Sequence, residues 1–151
     1  MKTYLFATKV GEMAVSWNEK GICRVYLPGT KKLKGEMVAT PPLHIKKFLK
    51  KLFSKKNNDL LPLLDFSQCS EFQRRVYLAA AKVPAGMTCS YGELAKAMGS
   101  PKAARAVGTA LGKNPWPVII PCHRIIGSNS LGGFSAPRGL TTKQDLLALE
   151  A

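Results

Sequence analysis

The chain has 151 residues, with 23 Lys and Arg against 9 Asp and Glu, a formal net charge of +14. At 46% hydrophobic it can bury the core of one medium domain or two small ones, and no apolar run approaches the roughly eighteen residues of a membrane span. The charge favours a polyanionic partner, nucleic acid ahead of an anionic membrane surface. The N-terminal stretch lacks the long apolar block of a secretory signal. Cys23, Cys69, Cys89 and Cys122 show no CxxC spacing, which argues against a zinc knuckle or a disulfide framework and for reduced thiols in the cytoplasm.

Residues 3–8, 12–18 and 21–28 alternate or run apolar and predict a small antiparallel β meander, with turns near Gly11 and at residues 18–21. A Lys- and Gly-rich connector without periodicity follows over 28–42. Residues 43–56 predict an amphipathic helix: Ile45, Phe48, Leu49, Leu52 and Phe53 share one face, and lysines fill the other. "NNDLLPLLDF" reads as a linker-like break, so two units are expected, 1–64 and 65–151. The second is mostly helical. Ser70 with Gln73 and Ser90 with Glu93 are capping boxes that open two helices. Gly99 makes a turn, and Ser100 with Pro101 is expected to open a third helix running to Gly112. The helices on either side of Gly99 have the shape of a helix-turn-helix. Small residues crowd the second of them, Ala103, Ala104, Ala106 and Gly108, and one long cation, Arg105, rises among them. A major-groove reader would carry Arg, Asn or Gln for base edges, whereas small side chains suit close approach to the minor groove. A last helix is expected from Thr141.

"NPWPVIIPCHRII" puts cysteine, histidine and arginine in a row after what reads as a buried strand. A thiolate is a strong nucleophile at neutral pH once its pKa is lowered. Adjacent residues of an extended chain point to opposite faces. His123 therefore acts on Cys122 through a bridging water, or the backbone kinks after Pro121. A histidine base needs an acceptor on its other nitrogen. The acids downstream are Asp145 and Glu150, and Glu150, at the end of the last helix, is the better placed.

"VPAGMTCSYGELAKAMGSPKAARAVGTALGKNPWPVIIPCHR" resembles, in order and spacing, the O6-alkylguanine-DNA alkyltransferases (methylated-DNA–protein-cysteine methyltransferases). The resemblance covers roughly residues 66–150; the N-terminal part matches in outline. It implies an α+β fold, with a small antiparallel β-sheet and helix of RNase H-like type before a helical domain carrying the helix-turn-helix. It implies an enzyme that repairs O6-alkylguanine, and O4-alkylthymine, in double-stranded DNA by irreversible transfer of the alkyl group to its own cysteine, once per molecule. Position by position, Cys122 matches the acceptor, His123 the residue that takes the thiol proton through water, and Glu150 the carboxylate that holds the histidine. Asn114 matches the asparagine bridging helix and active-site turn, and Tyr91 the donor to the purine ring. Arg105 matches the arginine that fills the gap left by the flipped base. Ala103 and Ala104 match the small residues that let the helix enter the minor groove, with Lys102 beside them. Ser135 matches a backbone contact in the closing loop. Phe134 stands in that loop where the family carries Tyr. The resemblance implies no cofactor, no membrane contact and a monomer, cytoplasmic and nucleoid-associated in a prokaryote. The zinc ligands of human-type relatives have no match near Cys23 or His44, so no structural metal is expected. Arg124 is expected to make a structural ion pair. Two rivals are a non-catalytic lesion binder, which would replace the cysteine, and a helix-turn-helix regulator indifferent to Cys122. A thiol hydrolase fits less well, because its histidine lies far from the cysteine in sequence.

Overall fold

The computed structural model describes residues 1–54, 57–127 and 146–147. Three strands, β1 (Lys2–Thr8), β2 (Gly11–Asn18) and β3 (Gly21–Tyr26), form the expected antiparallel meander. Gly11 and Gly21 take φ of 125° and 135° at its two turns, a backbone region in which only glycine is unstrained. The connector holds an element that its composition concealed. Glu36–Met37, β4, pairs parallel with β1, so the sheet is mixed and runs β3-β2-β1-β4. Two residues carry no period, which is why no strand is legible there. Beside this strand lies a polar cluster: the buried Thr3 and Ser16 hydroxyls are 2.7 Å apart, and Thr3 also donates to the Lys34 carbonyl.

Helix α1 (Leu43–Lys51) buries Ile45 and Phe48 and leaves Lys46, Lys47, Lys50 and Lys51 exposed. The apolar spacing therefore set its face correctly but not its end. The buried Asn57 side chain donates to the Leu52 carbonyl at 3.0 Å, satisfying one of the acceptors a helix end leaves open. The supposed linker is also structured. Residues Asn57–Leu63 form a 3-10 helix around Pro62, with Leu60 buried.

Helix α2 (Glu71–Ala80) opens on the Ser70–Gln73 capping box, β5 is the pair Cys89–Ser90, and α3 (Tyr91–Ala97) opens on the Ser90–Glu93 box. In each box both reciprocal bonds are made. Gly99 turns the chain at φ 78°. Helix α4 (Ala104–Gly112) then starts three residues later than Pro101 suggests, with Ala103 as its N-cap and no side-chain cap bond. Ser100 serves that turn by its carbonyl instead, accepting from the Ala103 amide at 2.9 Å.

The run expected as a buried strand is a turn. Residues 117 and 120 bridge to each other, and Val118 sits at its tip with φ 79°. Prolines at 115, 117 and 121 withhold three amide donors from any ladder, which explains the difference. After it, Cys122–Arg124 is a short 3-10 helix and Ile125–Ile126 is β6, parallel to β5. One continuous core runs from Met13 to Leu146 and joins the sheet side to the helical side. Trp116 is its hinge piece: it is 1% exposed, packs on Phe66 at 4.8 Å and on Tyr77 at 6.1 Å, and donates its indole N–H to the Ile22 carbonyl of β3. The expected helix from Thr141 lies outside the described residues, apart from helical Leu146 and Leu147. Among the described residues no helix is long and apolar enough to cross a membrane.

Candidate active site

Cys122 heads its 3-10 helix rather than ending a strand. The kink after Pro121 removes the premise that Cys122 and His123 point to opposite faces of an extended chain. The Cys122 amide donates to the Ile120 carbonyl at 2.7 Å, and the Cys122 carbonyl accepts from Ile125. Cys122 is 7% exposed, so a sliver of the residue reaches the surface, while His123 is fully buried. Arg124 is also buried, and its guanidinium donates to the Val83 carbonyl at 2.7 Å, tying the turn to the segment that follows α2.

The short β5–β6 pair sets the geometry around the cysteine. Cys89 pairs in parallel with Ile125 and Ser90 with Ile126, which ties the residues just before α3 to the strand that leaves the turn, and the residue after Ser90 lies close enough to Cys122 to feel its charge. That residue is Tyr91, half-buried at the start of α3. Burial, and then the negative charge available on Cys122, push the Tyr91 phenol above its ordinary pKa. The sign matters: a raised phenol stays protonated through neutral pH and keeps its proton to donate. A Cβ added at Gly108 would meet the Tyr91 ring at 3.9 Å, which places α4 against that ring. Tyr91 is therefore near both Cys122 and the helix that carries Arg105.

Asn114 sits just past α4. Its side-chain N–H donates to the Ile120 carbonyl and its oxygen accepts from the Trp116 amide, both at 2.9 Å. One side chain thus spans the turn that leads to Cys122. Lys102 and Arg105 are exposed, at and just before the start of α4, and Ala103 and Ala104 are half-buried between them. Phe134, Ser135 and Glu150 lie outside the described residues. The four cysteines form no disulfide.

Two residues near the site are not legible in the sequence. Tyr77, on α2, donates its hydroxyl to the Ala110 carbonyl at 2.8 Å; burial, with smaller pushes from Cys69 and Cys122, raises it to about 12. It reads as an ordinary apolar-face residue, and only the fold brings it near the thiol. Asn57 donates to the Val118 carbonyl at 2.9 Å from the other half of the chain, and the polar, Pro-containing run around it reads as a loop.

This arrangement can be set beside known proteins. A family model described as the DNA-binding domain of 6-O-methylguanine DNA methyltransferase matches residues 71–151. A Methanothermobacter thermautotrophicus methylated-DNA–protein-cysteine methyltransferase is 37% identical over 146 residues, 92% of this chain and 79% of that protein. The chain belongs to the methylated-DNA–protein-cysteine methyltransferase family. Another member of this methyltransferase family, from Mycolicibacterium paratuberculosis, is 56% identical over 82 residues, 54% of this chain, and the match spans about half of that relative's length, 48%. A crystal structure of Mycobacterium tuberculosis OGT in complex with DNA superposes with a TM-score of 0.80 at 29% identity, over 99% of this chain and 92% of that one. The fold is accordingly α+β, as the resemblance implies.

Proposed function

We propose that this protein repairs DNA by moving the alkyl group of O6-alkylguanine, and of O4-alkylthymine, onto Cys122. The observation that carries the reading is a protonated phenol, Tyr91, within reach of the charge of a cysteine held at the head of a kinked turn. The sulfur attacks the alkyl carbon, the carbon–oxygen bond breaks, and its electron pair stays with the base. Guanine is a poor leaving group, so a proton from Tyr91 to a ring nitrogen assists departure. The thiol proton passes through water to His123, which Glu150 orients. Asn114 holds the turn. The base must leave the stack for this chemistry. In this reading α4 enters the minor groove on Ala103 and Ala104, Arg105 fills the vacated space, and Lys102 meets phosphate. Phe134 and Ser135 close the pocket. Residues 65–151 carry the chemistry and residues 1–64 support them. The partner is double-stranded DNA, met by a monomer in the cytoplasm, on the nucleoid in a prokaryote, and the net charge of +14 suits it.

The product is a thioether, and the proposed chemistry includes no step that breaks a C–S bond. Each molecule therefore accepts one alkyl group. With O6-methylguanine duplex in excess, the lesions repaired are expected to plateau at one per protein molecule. A repair trace that keeps rising past equivalence would contradict the single-use reading.

A further inference from the structure

We propose that Asn57 is a positioning residue for alkyl transfer: its side-chain amide holds the Val118 backbone in a left-handed conformation and so sets where Cys122 lies. The inference rests on the transfer reading above. Among the described residues Val118 is the one non-glycine with positive φ, at 79°. A β-branched side chain disfavours that region, and such a residue stays there only when its surroundings over-determine it. Val118 is 4% exposed and packs in the hydrophobic core. What holds it comes from the N-terminal half. The Asn57 Nδ2 group donates to the Val118 carbonyl at 2.9 Å and to the Leu52 carbonyl at 3.0 Å. Both donor hydrogens are used, and Asn57 is 5% exposed, so the amide is fixed between the end of α1 and the tip of the turn.

The path from that tip to the sulfur is short. Two residues on, the Ile120 carbonyl accepts both from Asn114 Nδ2 at 2.9 Å and from the Cys122 amide at 2.7 Å. Rotating the peptide after Val118 would carry through Ile120 to the Cys122 backbone. Two other ties from the sheet, the Val25 amide to the Pro115 carbonyl at 2.8 Å and Trp116 to the Ile22 carbonyl at 2.9 Å, anchor the start of the turn. Asn57 acts on the strained residue itself.

The test is a double-mutant cycle of Asn57→Ala and Val118→Gly in the full chain. The readouts are single-turnover transfer from free O6-benzylguanine, duplex affinity and Tm. Glycine adopts positive φ without strain, so the tie becomes dispensable once Val118 is replaced. Asn57→Ala is expected to slow transfer by roughly tenfold or more beside Val118, and by less than about threefold in the Val118→Gly background, with duplex affinity unchanged. Equal slowing in both backgrounds would reduce Asn57 to a packing residue, and no slowing beside Val118 would overturn the proposal outright. Should Asn57→Ala fail to fold, Asn57→Asp, which keeps the shape and loses the donor hydrogens, takes its place in the same cycle. A wild-type protein that transfers nothing would count against the transfer reading and not against the tie.

Discussion

Cys122→Ala is expected to abolish alkyl transfer while leaving duplex affinity within about twofold of wild type. The substitution removes one sulfur from a residue that is 7% exposed and alters none of the backbone bonds that shape the turn. A small apolar side chain takes its place, so the expected loss of stability is on the order of 1 kcal/mol. The exposed cations assigned to DNA in this reading, Lys102 and Arg105, lie elsewhere, around the start of α4, and they are untouched. Binding and chemistry should therefore separate cleanly in an affinity titration run beside a transfer assay. Collapse of both together would make Cys122 a packing residue whose loss unfolds the site. Retained transfer would move the acceptor to another thiol, of which Cys89, next to Ser90 and Tyr91, stands in the adjoining strand.

Arg105→Ala should separate two substrates. Extruding a paired base costs a few kcal/mol of stacking and pairing. A long cation that fills the vacated space recovers part of that cost, and only when there is a duplex to open. Arg105 is exposed on α4, while the Tyr91 ring, which feels the charge of Cys122, rests against Gly108 of the same helix. The substitution leaves that contact in place. Repair of O6-methylguanine in duplex is expected to slow by roughly tenfold to a hundredfold, and reaction with free O6-benzylguanine by less than about twofold. Parallel slowing of the two reactions would show that Arg105 supports the fold of the site and does not assist extrusion.

These two variants touch residues that could be picked out in the amino-acid sequence, and the reason is physical. Cap chemistry is local: Ser70 with Gln73 and Ser90 with Glu93 need only their own backbone, and both boxes form as predicted. The meander was legible because alternation and two positive-φ glycines are also short-range signals. Cys122 stood out by its own Cys-His-Arg run, whereas Tyr91 was named through a resemblance in a long unbroken stretch; no periodicity would have joined them, since the β5–β6 pair that ties their segments together is two residues long. Local signals failed where long-range contacts decide. Ser100 and Pro101 form a turn before α4 starts, and the Val-Ile-Ile run folds back on itself because its prolines cannot enter a ladder. Asn57 looked like linker because its two acceptors lie at Leu52 and Val118, the second 61 residues away. A single polar residue buried by tertiary contact leaves no pattern behind it.

The contact between halves has a consequence for how the family's chemistry is housed. The sheet side contributes none of the residues assigned a chemical step, yet Ile22, Val25 and Asn57 make three hydrogen bonds to the 115–118 turn. The meander, α1 and the 3-10 helix after it thus form the backing on which the proline-laden turn is held. Precise placement of a nucleophile depends on such support, since small displacements of a reacting atom are costly in rate.

The most direct measurement is intact-mass spectrometry of the protein before and after incubation with O6-methylguanine duplex, followed by peptide mapping. Exchange of the thiol hydrogen for methyl should add the mass of one CH2 unit per chain, located on Cys122. A protein of unchanged mass in the presence of the lesion, or a methyl group mapped to any other residue, would contradict the assignment of Cys122 as the acceptor.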